Sequence, residues 1–300
     1  MNNISAIIVV KNSPPTLSEC VKQALKLCAE IIIIDIGMSP ESIKNLHGEK
    51  VRIIPHLESV PYVELIREKT KKYAHNEWVL FLDPDEILPD SLIKEIKLKY
   101  RDFDFVAFAR ANYIFGKHIV NSRWWPDYQV RLFKKGALIW PTTIHAQPLT
   151  TGNGLTLEAK ESLALKHFNY NSVDEFLAKS SRYAKSEAGE LAYLDFTAAS
   201  QKALQELNSR FFLENGYKDG THGLVLALLQ MFYNFSVYAY TWEKAGYPKM
   251  ESKALIRAPY DFFSQGLAEV AYWTEQKNPH RSFFTKIKTK ILIACLKLLK

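Results

Sequence analysis

Trp78-Val-Leu-Phe-Leu-Asp-Pro-Asp-Glu86 is the stretch on which the reading of the fold turns. Five apolar residues, Trp78 to Leu82, form a run of strand length that stops at a carboxylate, Asp83. Working outward, residues 4–10 (Ile-Ser-Ala-Ile-Ile-Val-Val) and 30–36 (Glu-Ile-Ile-Ile-Ile-Asp-Ile) have the same character, and Val51–Pro55 is a shorter one. Between them lie segments that read as helices. The first starts at Thr16 or Ser18 after Pro14-Pro15 and runs to about Ala29. The others cover Ser42–Leu46, Tyr62–Ala74, and Asp90 or Ser91 to Tyr100. Strand and helix alternate, which predicts an α/β fold with a parallel sheet covered on both faces. Ligands of such sheets bind beyond the carboxyl ends of the strands, where Asp35 and Asp83 stand.

After residue 103 the pattern changes. Phe103–Arg110, Gln129–Phe133 and Ala137–Trp140 read as strands with little helix between them, and from Ser172 the chain reads as helical. Ser172-Val-Asp-Glu175 has the form of a capping box. The division expected is an α/β domain over 1–165 and a helical region over 166–300. A chain of 300 residues with 47% hydrophobic and 24% charged residues suits that organisation.

Of the net charge of +7, six units lie in residues 281–300, as Arg281, Lys286, Lys288, Lys290, Lys297 and Lys300 with no acid. A near-neutral body with a basic tail argues against a nucleic-acid binder, whose charge is spread more widely. Phe283, Phe284, Ile287, Ile291, Leu292, Leu298 and Leu299 stand among those lysines. That is the composition of a helix lying on an anionic membrane surface. Thr221–Trp242 carries no charge with His222 neutral and has the length of a span. Gln230, Asn234, Ser236 and several tyrosines interrupt it, which favours a buried or interfacial helix. Cys20 and Cys28 on one helix lie roughly 12 Å apart, too far to bond, and the N-terminus lacks the pattern of a signal peptide. The localisation expected is cytoplasmic, peripheral on the inner face of the membrane.

Asp83-Pro84-Asp85-Glu86 places three carboxylates in four residues at a strand end. Like charges so close are best tolerated around a cation. A divalent ion that keeps waters and takes one or two carboxylates plus substrate phosphates fits, and would offset charge on a diphosphate leaving group. Phosphohydrolases also use an Asp-x-Asp at a strand end, but on the first strand and with a second acidic motif that this chain lacks. Asp35 reads as a hydrogen-bond acceptor for a base or ribose, or as a turn residue before Gly37. Arg67 reads as a phosphate or base contact, or as a solvated helix arginine.

Taken together, the strand ending Val-Val-Lys-Asn12, the strand ending Ile-Asp-Ile-Gly37, Arg67 and Phe-Leu-Asp-Pro-Asp-Glu86 resemble glycosyltransferase family 2. The resemblance is to the branch that includes lipopolysaccharide-core glucosyltransferases. Arg123-Trp-Trp-Pro-Asp-Tyr-Gln-Val-Arg-Leu-Phe133, Trp140, His145, Lys166-His167, Lys179, Tyr183 and Gly216-Tyr-Lys-Asp-Gly-Thr-His-Gly223 extend it over most of residues 4–240. It implies a GT-A fold, a UDP-sugar donor bound with Mg²⁺ or Mn²⁺, and inverting transfer to a hydroxyl of a glycan or lipid-linked acceptor. Val10, Asp35, Arg67 and Asp83 match positions of the nucleotide-sugar pocket, Asp83 and Asp85 match the metal-binding Asp-x-Asp, and Glu86 extends it. The chain departs from relatives that carry His-Glu where it has His145-Ala146. With that glutamate replaced, Asp127 is the first candidate for the base that takes the acceptor's proton, and it also reads as a turn residue after Pro126; His145 reads as a base, a third metal contact or a histidine satisfied within the fold. The other readings are a non-catalytic sugar-nucleotide-binding protein of the same fold and a transferase acting on a protein side chain.

Overall fold

The structure, a computed structural model, describes residues 3–46, 48–58, 60, 63–141, 147–193 and 195–277. It divides into two compact units, Met1–His118 with Trp125–Asn169, and Ile119–Trp124 with Tyr170–Lys300.

In the first unit, β1 (Ile4–Val10), α1 (Leu17–Ala24), β2 (Glu30–Asp35), α2 (Pro40–Asn45), β3 (Val51–Pro55), α3 (Glu64–Thr70) and β4 (Trp78–Leu82) follow the expected alternation. β3, β2, β1 and β4 are parallel neighbours in that order. Alternate side chains of these strands feed two cores. Ile8, Ile33 and Leu80 pack with Cys20 and Val21 of α1 on one face, and Ile7, Ile32 and Phe81 pack with Ile66 of α3 on the other. Helix α1 ends five residues short of the expected Ala29, because Lys26 and Leu27 donate to carbonyls three residues back and tighten the chain out of α geometry. Thr16 does not cap it: its hydroxyl donates to the Pro84 carbonyl at 3.1 Å.

Beyond β4 come β5 (Glu86–Ile87), α4 (Asp90–Lys99), β6 (Phe105–Ile114), β7 (Lys117–His118), β8 (Asp127–Lys134), β9 (Leu138–Ile139), β10 (Leu149–Thr150), β11 (Gly154–Thr156) and β12 (Leu165–Tyr170). The sheet continues from β4 through β8, β6 and β12 to β5. β8 runs antiparallel to both β4 and β6, so the sheet is mixed rather than all-parallel.

Helices α5 (Val173–Glu190), α6 (Phe196–Asn208), α7 (Thr221–Lys244) and α8 (Ser252–Lys277) make up the second unit. Ser172 caps α5 by accepting from the Glu175 amide at 3.1 Å. Among the described residues α7 is the one helix long and apolar enough to cross a membrane. The Gly216–Gly223 segment is structural. A Cβ on Gly223 would meet the Gly216 carbonyl, and Asp219, buried, accepts from the amides of Val120 and Asn121 at 3.3 and 3.0 Å.

Candidate functional site

Asp83 leaves β4 at its carboxyl end, and two arginines meet it there. Arg67 on α3 donates Nη2 to Oδ1 at 2.8 Å, and Arg131 on β8 donates Nη2 to Oδ2 at 2.6 Å. The Arg67 guanidinium also lies 4.9 Å from the centre of the Trp140 ring, which holds it toward Asp83 from behind. Arg131 occupies a β-bulge. Val106 pairs with Leu132 and Ala107 with Val130, so Arg131 is the extra residue of its strand. The bulge shifts the register by one residue and sets Asp127 opposite Arg110, where an unbroken ladder would set Tyr128.

The Arg131 side chain, 2% exposed, also reaches Glu86 Oε1 at 2.5 Å, and that carboxylate is fully buried. Glu86 turns its other oxygen back to accept from the Asp83 amide at 2.9 Å, which closes the Asp83–Glu86 turn. Arg110 approaches Glu86 at 3.4 Å and holds Asp127 through Nε and Nη2 at 2.8 and 2.7 Å. Three carboxylates and three guanidinium groups are thereby brought into contact, and Asp85 adds a fourth carboxylate. Burial by itself would raise the Asp83 pKa; the charges of Arg131, Arg67 and Arg110 outweigh it and hold the carboxyl far below its ordinary range. The cation that the sequence demanded for this cluster is, for Asp83 and Glu86, supplied by protein arginines.

A polar chain connects Asp127 to Asp85. Asn112 donates Nδ2 to Asp127 Oδ2 at 3.1 Å, which turns its amide oxygen toward His167 Nδ1, 2.6 Å away. An amide oxygen only accepts, so Nδ1 carries the proton that this contact uses. Nε2 lies 3.7 Å from Asp85 Oδ2. The backbone sets this pairing, because the Phe168 amide donates to the Asp85 carbonyl at 2.9 Å and β12 pairs with β5. Asp127 also accepts from Gln129 at 2.7 Å. Burial would raise its pKa, but Arg110, Asn112 and Gln129 lower it.

No group of three His, Cys, Asp or Glu side chains is arranged to hold a metal among the described residues. The pair Asp85 and His167 supplies one hard oxygen and one imidazole nitrogen. That donor set fits a divalent cation that fills its remaining positions with waters and substrate phosphates.

Residues 5–150 match the family described as Glycosyl transferase family 2. The match takes in 146 of the 300 residues, among them Asp83, Asp85, Glu86, Asp127 and Arg131. An uncharacterized glycosyltransferase of Rickettsia felis is 20% identical over 255 residues, covering 78% of this chain and 88% of that protein. One from Rickettsia bellii is 22% identical over 252 residues, covering 77% and 83%. The crystal structure of S. aureus TarS 1–349 in complex with UDP overlaps 83% of this chain and 94% of that one, at 12% identity and a TM-score of 0.40. The fold class is the α/β type that the resemblance implied, and the protein is a glycosyltransferase.

Within the glycosyltransferase domain the residues singled out from sequence are placed as follows. Val10 is buried at the end of β1, and its carbonyl accepts from the Ile36 amide at 3.0 Å. Asp35 ends β2 and makes the turn: Oδ1 accepts from the amides of Gly37 and Met38 at 2.8 and 2.7 Å. Arg67, Asp83, Asp85 and Asp127 belong to one contiguous group, and His145 lies outside the described residues. Asp127 differs from the base expected of it. A carboxylate with both oxygens occupied by donors and a lowered pKa is a weak proton acceptor. The sequence reading assigned no role to Arg110, Asn112, Arg131 or His167. One signal was available: Arg131 stands between Val130 and Leu132-Phe133 in a strand, and an arginine buried there needs carboxylate partners.

Proposed function

We propose that the enzyme transfers a hexose from a nucleotide sugar, a UDP-sugar first, to a glycan or lipid-linked acceptor in cell-envelope polysaccharide synthesis. The lipopolysaccharide-core branch of the family is the model for the acceptor. The observation that carries the donor assignment is the Asp83-Pro84-Asp85-Glu86 turn at the carboxyl end of β4, held rigid by Arg67 and Arg131 within a family 2 domain. Val10, Asp35 and Arg67 are assigned to the nucleotide side.

Asp85 and His167 would hold Mg²⁺ or Mn²⁺, with Asp83 oriented beside them by its arginines. A bound cation of this kind offsets the negative charge of a diphosphate leaving group. The remaining chemistry is inverting displacement. The acceptor oxygen bonds to the anomeric carbon from the face opposite the leaving group, the bond from that carbon to the diphosphate oxygen breaks, and UDP departs with the electron pair. The acceptor's proton passes to a base. With Asp127 committed to Arg110, His145 is the base we assign, because an imidazole takes up protons near neutral pH. Asp127 is assigned to orienting Asn112 and, through it, His167.

The localisation proposed is cytoplasmic and peripheral on the inner membrane face, with residues 281–300 in contact with the membrane. The α/β domain ends near residue 165 in this proposal, its strands after residue 103 shape the acceptor side, and the helical remainder brings the enzyme to a membrane-borne glycan. Release of UDP from a panel of UDP-sugars, with Mn²⁺ and a lipid-linked glycan acceptor, tests the assignment. The expected result is acceptor-dependent release that His145→Asn lowers at least about 100-fold, within the range for a lost general base. Release unaffected by acceptor for every sugar would contradict transfer.

A further inference from the structure

Helix α8 has two apolar faces, and among the described residues only one is packed. Its inward face is well filled: Phe262 meets Phe235 at 5.4 Å, Trp273 stacks on Phe212 at 6.4 Å, and a Cβ on Gly266 would come within 3.0 Å of Leu204. Ile256, Tyr260, Phe263 and Leu267 follow one another at intervals of four, three and four residues, which puts them on one side of a 3.6-residue helix. That side is about 110° around the helix from the packed one at about 100° per residue. All four are exposed, Ile256 by 82% and Phe263 by 69%. An unbroken apolar stripe about 16 Å long at 1.5 Å rise per residue, on a helix already anchored by another side, is not needed for packing among the described residues of its own unit.

Charge identifies what covers it. Lys253 stands one turn before Ile256, and four residues after α8 ends at Lys277 begins the run 281–300, with six basic residues and no acid. A second copy of this chain seated on the stripe would bring two such basic runs together. An anionic lipid surface instead neutralises them and accepts the apolar side chains between its headgroups. We propose that the outward face of α8 is a membrane-docking surface, with Ile256, Tyr260, Phe263 and Leu267 entering the boundary between headgroups and acyl chains of an anionic bilayer. This extends the membrane contact proposed for residues 281–300 and rests on it.

The test is co-sedimentation of the full-length protein with phosphatidylglycerol–phosphatidylcholine vesicles and with phosphatidylcholine vesicles. It compares wild type, the pair Ile256→Glu with Phe263→Glu, and a chain ending at residue 280. Both substituted side chains are exposed, so the thermal midpoint should stay at the wild-type value. The expected result is binding to the anionic vesicles that falls at least about tenfold in the pair, since each lost apolar side chain removes membrane affinity. The milder pair Ile256→Gln with Phe263→Gln adds no charge and carries the same expectation, so it separates lost apolar contact from repulsion. Wild-type binding by both pairs together with loss in the truncated chain would overturn the α8 surface and leave the tail contact standing. No binding by wild type would overturn both. A dimeric wild type made monomeric by the pairs, with vesicle binding unchanged, would give the stripe to a second copy and overturn the proposal.

Discussion

Strands β1 to β4 and strands β6 and β8 belong to one sheet but are specified differently. Of the first four, β1, β2 and β4 are buried on both faces along nearly their whole length. Ile7 and Ile8, Ile32 and Ile33, and Val79 and Leu80 point alternately to opposite cores, and burial dominates their register, with one polar set at the strand starts where Ser5 and Arg52 hold Glu30. β6 and β8 carry Arg110, Asn112, Asp127, Gln129 and Arg131 on their site-facing portions, and their register is held by ion pairs around a bulge. The first half is specified by hydrophobicity and tolerates approximate side-chain shape. The second is specified by charge, so one missing partner leaves a buried ion unpaired.

The largest effect expected on this contrast is from Arg131→Ala. It leaves Glu86, fully buried, and Asp83 without their shared guanidinium. Loss of one partner of a buried pair costs about 3–5 kcal/mol, read as a lower midpoint in denaturant unfolding. A midpoint equal to wild type would show that the network adds nothing to the fold. Next is Asn112→Ala, which removes the acceptor that fixes the His167 tautomer. Second-shell partners of this kind typically contribute about 10–100-fold in metal affinity. Mn²⁺ affinity measured with UDP present should fall by that factor while the unfolding midpoint moves little; equal losses in both would reduce Asn112 to a structural role. The smallest effect belongs to the parallel half. Ile32→Val should cost about 0.5–1.5 kcal/mol and leave UDP affinity unchanged. A change in UDP affinity would show that the two halves are not separable.

Acid sharpens the same comparison. The folded pKa of Asp127 is lowered, so its ion pairs stabilise the protein above the unfolded carboxyl value of about 3.9, and that contribution is lost as the pH falls through the folded value. Stability should therefore decline on acidification, and Asp127→Asn, already lacking the ionised form, should decline less steeply between pH 5 and pH 3, numbers set by about one unit either side of that value. Parallel declines would remove Asp127 from the acid response.

What could be read from sequence follows this division. The apolar runs at 4–10, 30–35 and 78–82 announced their strands because near-uninterrupted burial leaves a local signature, and Asp83 was recognisable as the residue ending one of them. The Ser172 cap was legible because its partner is three residues away. The bulge at Arg131 was not: it depends on which residue of β6 faces it, a pairing across 25 residues of sequence that no local pattern records. The same holds for Asn112 and His167, which meet across 55 residues, and for the excursion of Ile119–Trp124 into the helical unit. The early end of α1 was missed because Leu27 and Cys28 are buried core residues that continue the apolar pattern through a tighter turn.

The account depends most on Asp85 and its neighbours being a nucleotide-sugar site. The direct test is calorimetric titration of UDP and UDP-sugars into wild type and Asp85→Ala, with and without Mn²⁺. The account predicts UDP binding that strengthens at least about tenfold with Mn²⁺, the scale of a lost ligand or second-shell contact, and loses that enhancement in a folded Asp85→Ala. Mn²⁺-enhanced binding that survives in Asp85→Ala, or no UDP binding with metal present, would contradict it.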